Sequence, residues 1–361
     1  MLVENQARAL LALKVEWDWV LVATPRTLAD VPFFSAFEPI VVPDTPLSYH
    51  ATWRVGRLWE KAGCTLGVST AFFAALVGPP VVTNYFDANA FHPVRDARNP
   101  RDRLKSALIQ GLWKLSRRRS RALFILSEYG REKMIEVDPA TRGKWVVAPC
   151  GVAPLPSPPT SAPSWAQTLG GRQFILYAGA FSENKNQRRL IQAWDRVRRS
   201  QPTFPQLLLI GPIPATYLRD VIEPERTRTL HPEEVITPGF VPDEELVWAF
   251  HNAHAYIQPS FAEGFGMPVV EAMQHGLPVA CSNSTSLPEV AGGAARLFDP
   301  SSVESIAEAL AAIALDEEER QHLRAAGLER AKAFTWERNA EIVAERIRHE
   351  LRLQDRGNSI R

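Results

Sequence analysis

A proline-rich segment, APLPSPPTSAP at residues 153–163, divides a chain whose two halves repeat one alternation. Before it, VLVAT (20–24), EPIVVPD (38–44), VVTNY (81–85), ALFILS (122–127) and KWVVAP (144–149) are short β-branched runs closed by polar residues or proline, as strands are. Between them TWRVGRLWEKAG (52–63), RDRLKSALIQGLWKLSRRRS (101–120) and EYGREKMIEV (128–137) read as helices. After it, QFILYAG (173–179), QLLLIG (206–211), EEVITPG (233–239), HAYIQPS (254–260) and LPVACS (277–282) repeat the strand pattern, each followed by a helical stretch or a Gly/Pro turn. Strands joined by helical crossovers pair in parallel. A stretch so rich in proline makes neither helix nor central strand and reads as a linker.

The expected fold is therefore α/β: two doubly wound domains facing a central cleft. The first spans 1–152, a linker 153–170, the second 171–335. A last helix follows over 336–361, packing back toward the N-terminal domain; its apolar residues Trp336, Ala340, Val343, Ile347 and Leu351 step by three or four. MLVENQARALLAL reads as helix at once, where a doubly wound domain normally opens with a strand. The expectation is an N-terminal domain lacking its first strand, through a truncated start or a real absence.

Charge excludes some functions. Lys plus Arg is 41 and Asp plus Glu 40, so the net charge of +1 gives no overall attraction to nucleic acid. Cys64, Cys150 and Cys281 lie far apart without CxxC spacing, which argues against a disulfide framework or zinc site and fits a reducing cytosol. No apolar run nears the roughly 18 residues of a membrane span, and no signal-peptide pattern opens the chain. A cytoplasmic location, possibly peripheral at the inner face of the plasma membrane, is expected. From Arg95 to Arg121 there are ten Lys or Arg and two Asp. With Leu108, Leu112, Leu115 and Trp113 interleaved, 101–121 fits either a helix on an anionic membrane surface or a crossover helix with a solvated basic face.

The most informative short stretch is AEGFGMPVVEA (262–272). HAYIQPS ends a buried strand, and PVVEAMQHG reads as a helix with Pro268 at its start and Gly276 past its end. AEGFGM is then a strand-to-helix turn at the carboxyl end of a parallel strand, where open α/β sheets bind ligands. Backbone amides of Phe265, Gly266 and Met267 at a helix N-terminus favour an anion such as phosphate. Glu271, about one turn into the helix, is placed to accept both hydroxyls of a ribose. Glu263, before the turn, is placed to accept hydroxyls of a sugar beyond the phosphates. Two glutamates eight apart can merely flank a turn; the strand before them and the helix after them favour a ligand made of nucleoside, diphosphate and sugar.

These residues also carry a family resemblance. EGFGMPVVEAMQHGLPVACS resembles the E-x7-E region of the family 4 retaining glycosyltransferases, which have the GT-B fold. The resemblance extends through SLPEVAGGAARLFDP (286–300), ITPGFVPDEELVWAFHNAHAYIQPSFAEG (236–264) and LYAGAFSENKNQRRLIQAW (176–194), and more loosely to FILSEYGREKM and VVAPCGV. It implies that Glu271 binds ribose, that Glu263 contacts the transferred sugar, and that Lys185 neutralises the diphosphate without a metal. It adds Gly179, Asn186, Phe240 and Gly264 to the donor side, Tyr85 and Ser127 to the acceptor side, and Asp87 as a third catalytic residue. No cofactor is implied beyond a nucleotide-diphosphate sugar as co-substrate.

The implied activity is transfer of a hexose to a saccharide or lipid-linked saccharide in surface polysaccharide assembly of the lipopolysaccharide kind. GDP-mannose is the first donor to consider and UDP-glucose the second. Two departures stand out. Asn184 replaces the arginine that precedes the lysine in the family, leaving Arg188 or Arg189 to compensate. Tyr85 and Phe86 fall where many members carry a His-Asp pair, with Asp87 one residue late. A GT-B sugar-nucleotide epimerase and a non-catalytic or impaired nucleotide-sugar or glycan binder remain as alternatives.

Overall fold

The computed structural model describes residues 2–43, 49–69, 74–85, 100–153 and 161–358. The chain forms two compact units, Met1–Gly151 with Thr335–Arg361, and Val152–Phe334. In the first unit α1 (Leu2–Ala12), β1 (Val22–Ala23), α2 (Pro25–Asp30), β2 (Ile40–Val41), α3 (Tyr49–Lys61), β3 (Gly67–Ser69), β4 (Val81–Tyr85), α4 (Pro100–Arg119), β5 (Ser120–Ile125), α5 (Glu128–Val137) and β6 (Trp145–Val147) follow in order. Strands β3-β4-β5-β6 make one parallel sheet, and β1 and β2 a separate parallel pair. All five residues of β4 are buried, as expected of a parallel strand covered on both faces.

Residues 2–12 are helical and contribute no strand, as their pattern implies. A buried amide cluster fixes this helix. Gln6 Nε2 donates to Asn339 Oδ1 at 2.9 Å, and Asn84 Nδ2 donates to Gln6 Oε1 at 3.0 Å. Asn339 lies in the last helix, α14 (Trp336–Asn358), and its amide reaches the carbonyls of Ala148 and Pro149. Three buried polar side chains are thus paired mutually, which fixes the relation of α1, β4 and α14.

Several elements differ from the sequence pattern. The strands expected at 20–24 and 38–44 shrink to two residues each. Strand β3 has no β-branched run to announce it. It starts at Gly67, where a Cβ would stand 2.4 Å from the Trp59 ring. The linker expected over 153–170 is shorter on its second side. Residues 154–160 lie outside those described, but Ser164–Leu169 form a 3-10 turn within the second unit. Trp165 anchors it, donating Nε1–H to Glu245 at 2.6 Å and meeting Trp248 edge to face. Proline content did not reveal that anchor.

The second unit contains β7 (Phe174–Ala178), α6 (Gln187–Ser200), β8 (Gln206–Ile210), α7 (Ala215–Tyr217), α8 (Glu223–Arg228), β9 (Val235–Gly239), α9 (Asp243–Asn252), β10 (Ala255–Gln258), α10 (Met267–Gln274), β11 (Val279–Ser282), α11 (Leu287–Ala291), β12 (Arg296–Phe298), α12 (Val303–Leu315) and α13 (Glu317–Ala331). Its parallel sheet has the order β12-β11-β10-β7-β8-β9. The chain runs outward from β7 to β9, then returns to the other side of β7 and runs outward again through β10. The switch point therefore lies between β7 and β10, where the loops after the two strands diverge and leave a crevice at their carboxyl ends. Beneath it Leu190, Ile191, Trp194 and Val197 of α6 pack into a continuous core with Ile175, Leu207 and Ile257.

Candidate functional site

Because β7 and β10 are neighbours, the loops after them meet. The loop after β7 carries Lys185 and the loop after β10 carries Glu263. Lys185 Nζ lies 2.7 Å from each oxygen of the Glu263 carboxylate. Gln258 Nε2 at 2.9 Å and Ser260 Oγ at 2.7 Å also donate to Glu263 Oε1. Behind them the buried Tyr256 hydroxyl donates to Gln258 Oε1 at 2.5 Å. Burial, with the neighbouring Tyr177, Glu271 and Glu263, pushes Tyr256 ionisation well up, so it stays a donor. A carboxylate with this set of donors has its orientation fixed. Its side chain is 11% exposed and that of Lys185 24%, so both remain open to a ligand.

The β7 loop is held close to the sheet. A Cβ on Gly211 would stand 2.0 Å from the Gly179 carbonyl oxygen, so only glycine lets the β7 and β8 loops approach in this way. Asn184 Nδ2 donates to the Ala262 carbonyl at 2.8 Å, and its own carbonyl accepts the Phe261 N–H. The residue standing in the family's arginine position therefore ties the lysine loop to the glutamate loop.

The turn into α10 is built around Gly266, at φ +103°; a Cβ there would lie 2.5 Å from Leu287 Cδ2. Phe265 is buried edge to face on Phe334, and Gly264 beside it is half-buried. Among the described residues the N–H groups of Phe265, Gly266 and Met267 donate to no protein acceptor. Three free amides at a helix N-terminus, with Lys185 bound to the preceding loop, form a cradle for an anion.

Glu271 is the fifth residue of α10. Its carboxylate makes no hydrogen bond or ion pair among the described residues. Burial, and then the charge of Asp243 at the start of α9, push its protonation equilibrium upward. A half-buried carboxylate without a partner is costly, and a vicinal diol would supply two donors.

Residues 165–330 match the family described as Glycosyl transferases group 1. That match covers nearly all of the second unit, Val152–Phe334. O-antigen chain mannosyltransferase B of Escherichia coli is 32% identical over 222 residues, 60% of this chain and 58% of that protein. The serotype-specific mannosyltransferase WbdA, also of Escherichia coli, is 30% identical over 174 residues, 48% of this chain and 21% of that protein. The chain thus spans less than two thirds of either relative. In structure it is similar to Alr3699/HepE of Anabaena, solved with UDP-glucose, with a TM-score of 0.71 at 18% identity over 96% of each chain. The expected fold class, α/β with Rossmann-like units as in GT-B enzymes, is the one observed.

The matched domain holds Gly179, Lys185, Asn186, Phe240, Glu263, Gly264, Phe265, Gly266, Met267 and Glu271; Tyr85, Asp87 and Ser127 precede it. Three assignments need correction. Asn186 is 2% exposed, with φ +60°, and its amide donates to the carbonyls of Pro259 and Pro300. It fastens the β7 loop rather than touching a donor. Tyr85 is fully buried against Trp145, and burial pushes its pKa up to about 12. Ser127 is also fully buried, and its Oγ caps α5 by accepting the Gly130 N–H at 3.1 Å. Neither can present its side chain to an acceptor. Asp87 lies outside the described residues. Phe240, after β9, is 75% exposed. Arg188 pairs with Glu183 at 3.5 Å, and Arg189 lies over the Phe261 ring.

The supports Gln258 and Ser260 escaped the sequence reading. Their signal was present: both are polar at the end of an otherwise apolar, buried strand. His231, Glu233 and Glu234 bring ligand atoms within 4.8 Å of one another, yet they sit at the amino end of the edge strand β9, whereas the site lies at the carboxyl ends of β7 and β10. Burial raises the Glu234 pKa, but Arg198 and Arg172 outweigh it and hold the carboxyl at about 2. Glu234 is therefore already engaged and does not call for a cation.

Proposed function

We propose that the protein is a hexosyltransferase. It would move a hexose from a nucleotide-diphosphate sugar to a saccharide or lipid-linked saccharide, with retention of configuration. The observation that carries this reading is the Lys185–Glu263 pair at the switch point, beside the three free amides of 265–267 and the unpartnered Glu271. The diphosphate lies on the amides and against Lys185 Nζ, Glu271 takes the ribose hydroxyls, and Glu263 takes hydroxyls of the hexose.

In the reaction the anomeric C–O bond to the diphosphate breaks and the acceptor hydroxyl bonds to the anomeric carbon from the same face. The acceptor's proton passes to the departing phosphate oxygen, giving the glycoside and a nucleoside diphosphate. Lys185 and the helix terminus take up charge as it develops on the leaving group, an interaction that grows in the transition state. The names of the Escherichia coli relatives favour mannose over glucose, and surface polysaccharide as the product.

A thermal-shift screen of GDP, UDP, GDP-mannose and UDP-glucose tests the donor, because a ligand specific for the native state raises Tm. Sugar transfer to a panel of saccharide and lipid-linked acceptors then tests the reaction. Donor stabilisation with no transfer to any acceptor would favour a non-catalytic binder, which the burial of Tyr85 at the family's His-Asp position also supports.

A further inference from the structure

From the last residue of β11 the chain reads Ser282, Asn283, Ser284, Thr285, Ser286, and four of these side chains grip the glutamate loop. Ser282 Oγ donates to the Ser260 carbonyl at 2.6 Å and Ser284 Oγ to the Phe261 carbonyl at 2.7 Å. Ser286 Oγ lies 2.9 Å from the Glu263 carbonyl and 3.0 Å from that of Phe265. Thr285 differs in kind, because its Oγ1 accepts the Glu263 N–H at 2.9 Å. The serines thus hold carbonyls, and Thr285 holds the Glu263 amide, just ahead of the free amides of 265–267.

Thr285 does this from a strained backbone. Its φ is +55°, a left-handed conformation that β-branched residues rarely adopt. Such strain persists where the surrounding structure requires it, and it gathers at functional sites. Here the left-handed turn brings Oγ1 under the Glu263 amide, and Leu287, two residues on, closes against Gly266.

We propose that Thr285 is a positioning residue for Glu263. It fixes the peptide preceding the cradle, so that the carboxylate is already aimed where the hexose arrives. This rests on the transferase reading above. The role predicts a split between turnover and affinity, since Glu271 and Lys185 are untouched by the change. Thr285→Val keeps the shape and removes the acceptor; Thr285→Ser keeps the acceptor.

The experiment measures release of GDP or UDP from GDP-mannose or UDP-glucose, with water or a lipid-linked saccharide as acceptor, beside nucleoside diphosphate affinity and Tm. Thr285→Val is expected to lower kcat about 10-fold or more with nucleoside diphosphate affinity within about 2-fold, and Thr285→Ser to recover most of the turnover. Hydrogen exchange supplies a readout independent of activity: the amides of 259–267 exchange about 10-fold faster in Thr285→Val and not in Thr285→Ser. Glu263→Gln separates the two ideas. If it keeps full turnover, the reading of Glu263 is wrong. If Glu263→Gln is impaired while Thr285→Val turns over and exchanges like wild type, or if Thr285→Ser is as impaired as Thr285→Val, the positioning role is overturned.

Discussion

Both sheets are parallel, and their carboxyl ends differ in use. In the second unit the loops after β7 and β10 carry Lys185 and Glu263 with part of each side chain exposed, and α10 holds Glu271 half-buried nearby in sequence. In the first unit the corresponding positions turn inward. Tyr85, the last residue of β4, lies under Trp145, and Ser127, two residues beyond β5, caps a helix. A strand end in a parallel sheet is therefore a place where function can be put, not a mark of function. What decides it is whether the side chain's polar atoms are left where a ligand can reach them: the Lys185 and Glu263 side chains keep 24% and 11% exposure, whereas Tyr85 and Ser127 have none.

The sharpest way to break this contrast is to remove charge from the second unit. Lys185→Ala should lower transfer by about 100-fold or more, as loss of a group aimed at developing charge does elsewhere. It also leaves Glu263 without its cation, so Lys185→Arg is the control for that effect. Steady-state kinetics of nucleoside diphosphate release checks both. Transfer by Lys185→Ala at the wild-type rate would remove Lys185 from the chemistry.

The same experiment on the first unit should act on stability alone. Tyr85→Ala opens a cavity among Leu123, Ile125, Met134 and Trp145 and should cost about 3–5 kcal/mol. Ser127→Ala removes a helix cap and should cost about 1 kcal/mol. Denaturant titration measures both, and nucleoside diphosphate affinity of the folded fraction should stay at wild type. A selective loss of transfer in Ser127→Ala, with stability unchanged, would return that residue to the acceptor side.

Glu271→Ala sharpens the contrast within one helix. It should weaken nucleoside diphosphate binding by about 100-fold or more, two hydrogen bonds to a charged group being worth about 1.5–3 kcal/mol each. Isothermal titration with GDP and UDP measures this, and equal affinity in wild type would remove the ribose assignment.

The chemistry of the site was legible where it lay in one stretch and less so where it did not. AEGFGMP carries its strand, turn and helix in consecutive residues, so its glycines and Pro268 could be interpreted locally. Lys185 and Glu263 are 78 apart, and no local rule pairs them; the family resemblance set both on one ligand, and their direct contact appears only in the structure. Tyr85 and Ser127 were misplaced because a sequence does not say which way a strand-end side chain points. Ser127 had the better local reading available, since a serine before a helical run is an N-cap signal. Asn186 looked like part of the lysine motif, and only its burial and its amide bonds to the Pro259 and Pro300 carbonyls show it to be a fastener.

The far end of α10 offers a smaller test, one of pH. His275 stacks on Phe250 at 5.1 Å and meets His251 edge on at 4.6 Å. Burial, and then His251, lower its pKa from 6.5 to about 4. Between those values the unfolded chain takes up a proton that the folded chain does not, so stability should fall as pH drops from about 6.5 toward about 4. The full shift corresponds to about 3 kcal/mol, which solvent screening of the half-buried ring reduces to roughly 2 kcal/mol at the acid end of the window, and His275→Gln should flatten it. Tm measured across the window decides this, and an identical slope in His275→Gln would assign it to another group.

The three consecutive arginines of α4 give the finest comparison, because neighbours in sequence have separate roles. Arg117 is 4% exposed and pairs with Asp138 at 3.6 Å, while Arg119 donates to the carbonyls of Gly78 and Pro79. Only Arg118, with 54% of its side chain exposed, presents itself to solvent. Two of the three charges that suggested an anionic membrane surface are thus committed to the fold. Arg118→Glu also loses a 3.9 Å contact to Asp138 and sets a like charge beside it, so it should cost about 1 kcal/mol of stability. If α4 does lie on anionic lipid, the same change should weaken binding to phosphatidylserine vesicles by about 10-fold, two charges at roughly 1 kcal/mol each being the upper bound. Vesicle cosedimentation at low salt measures it, and unchanged binding would leave α4 as a crossover helix whose basic residues serve its own C-terminus and the loops beneath it.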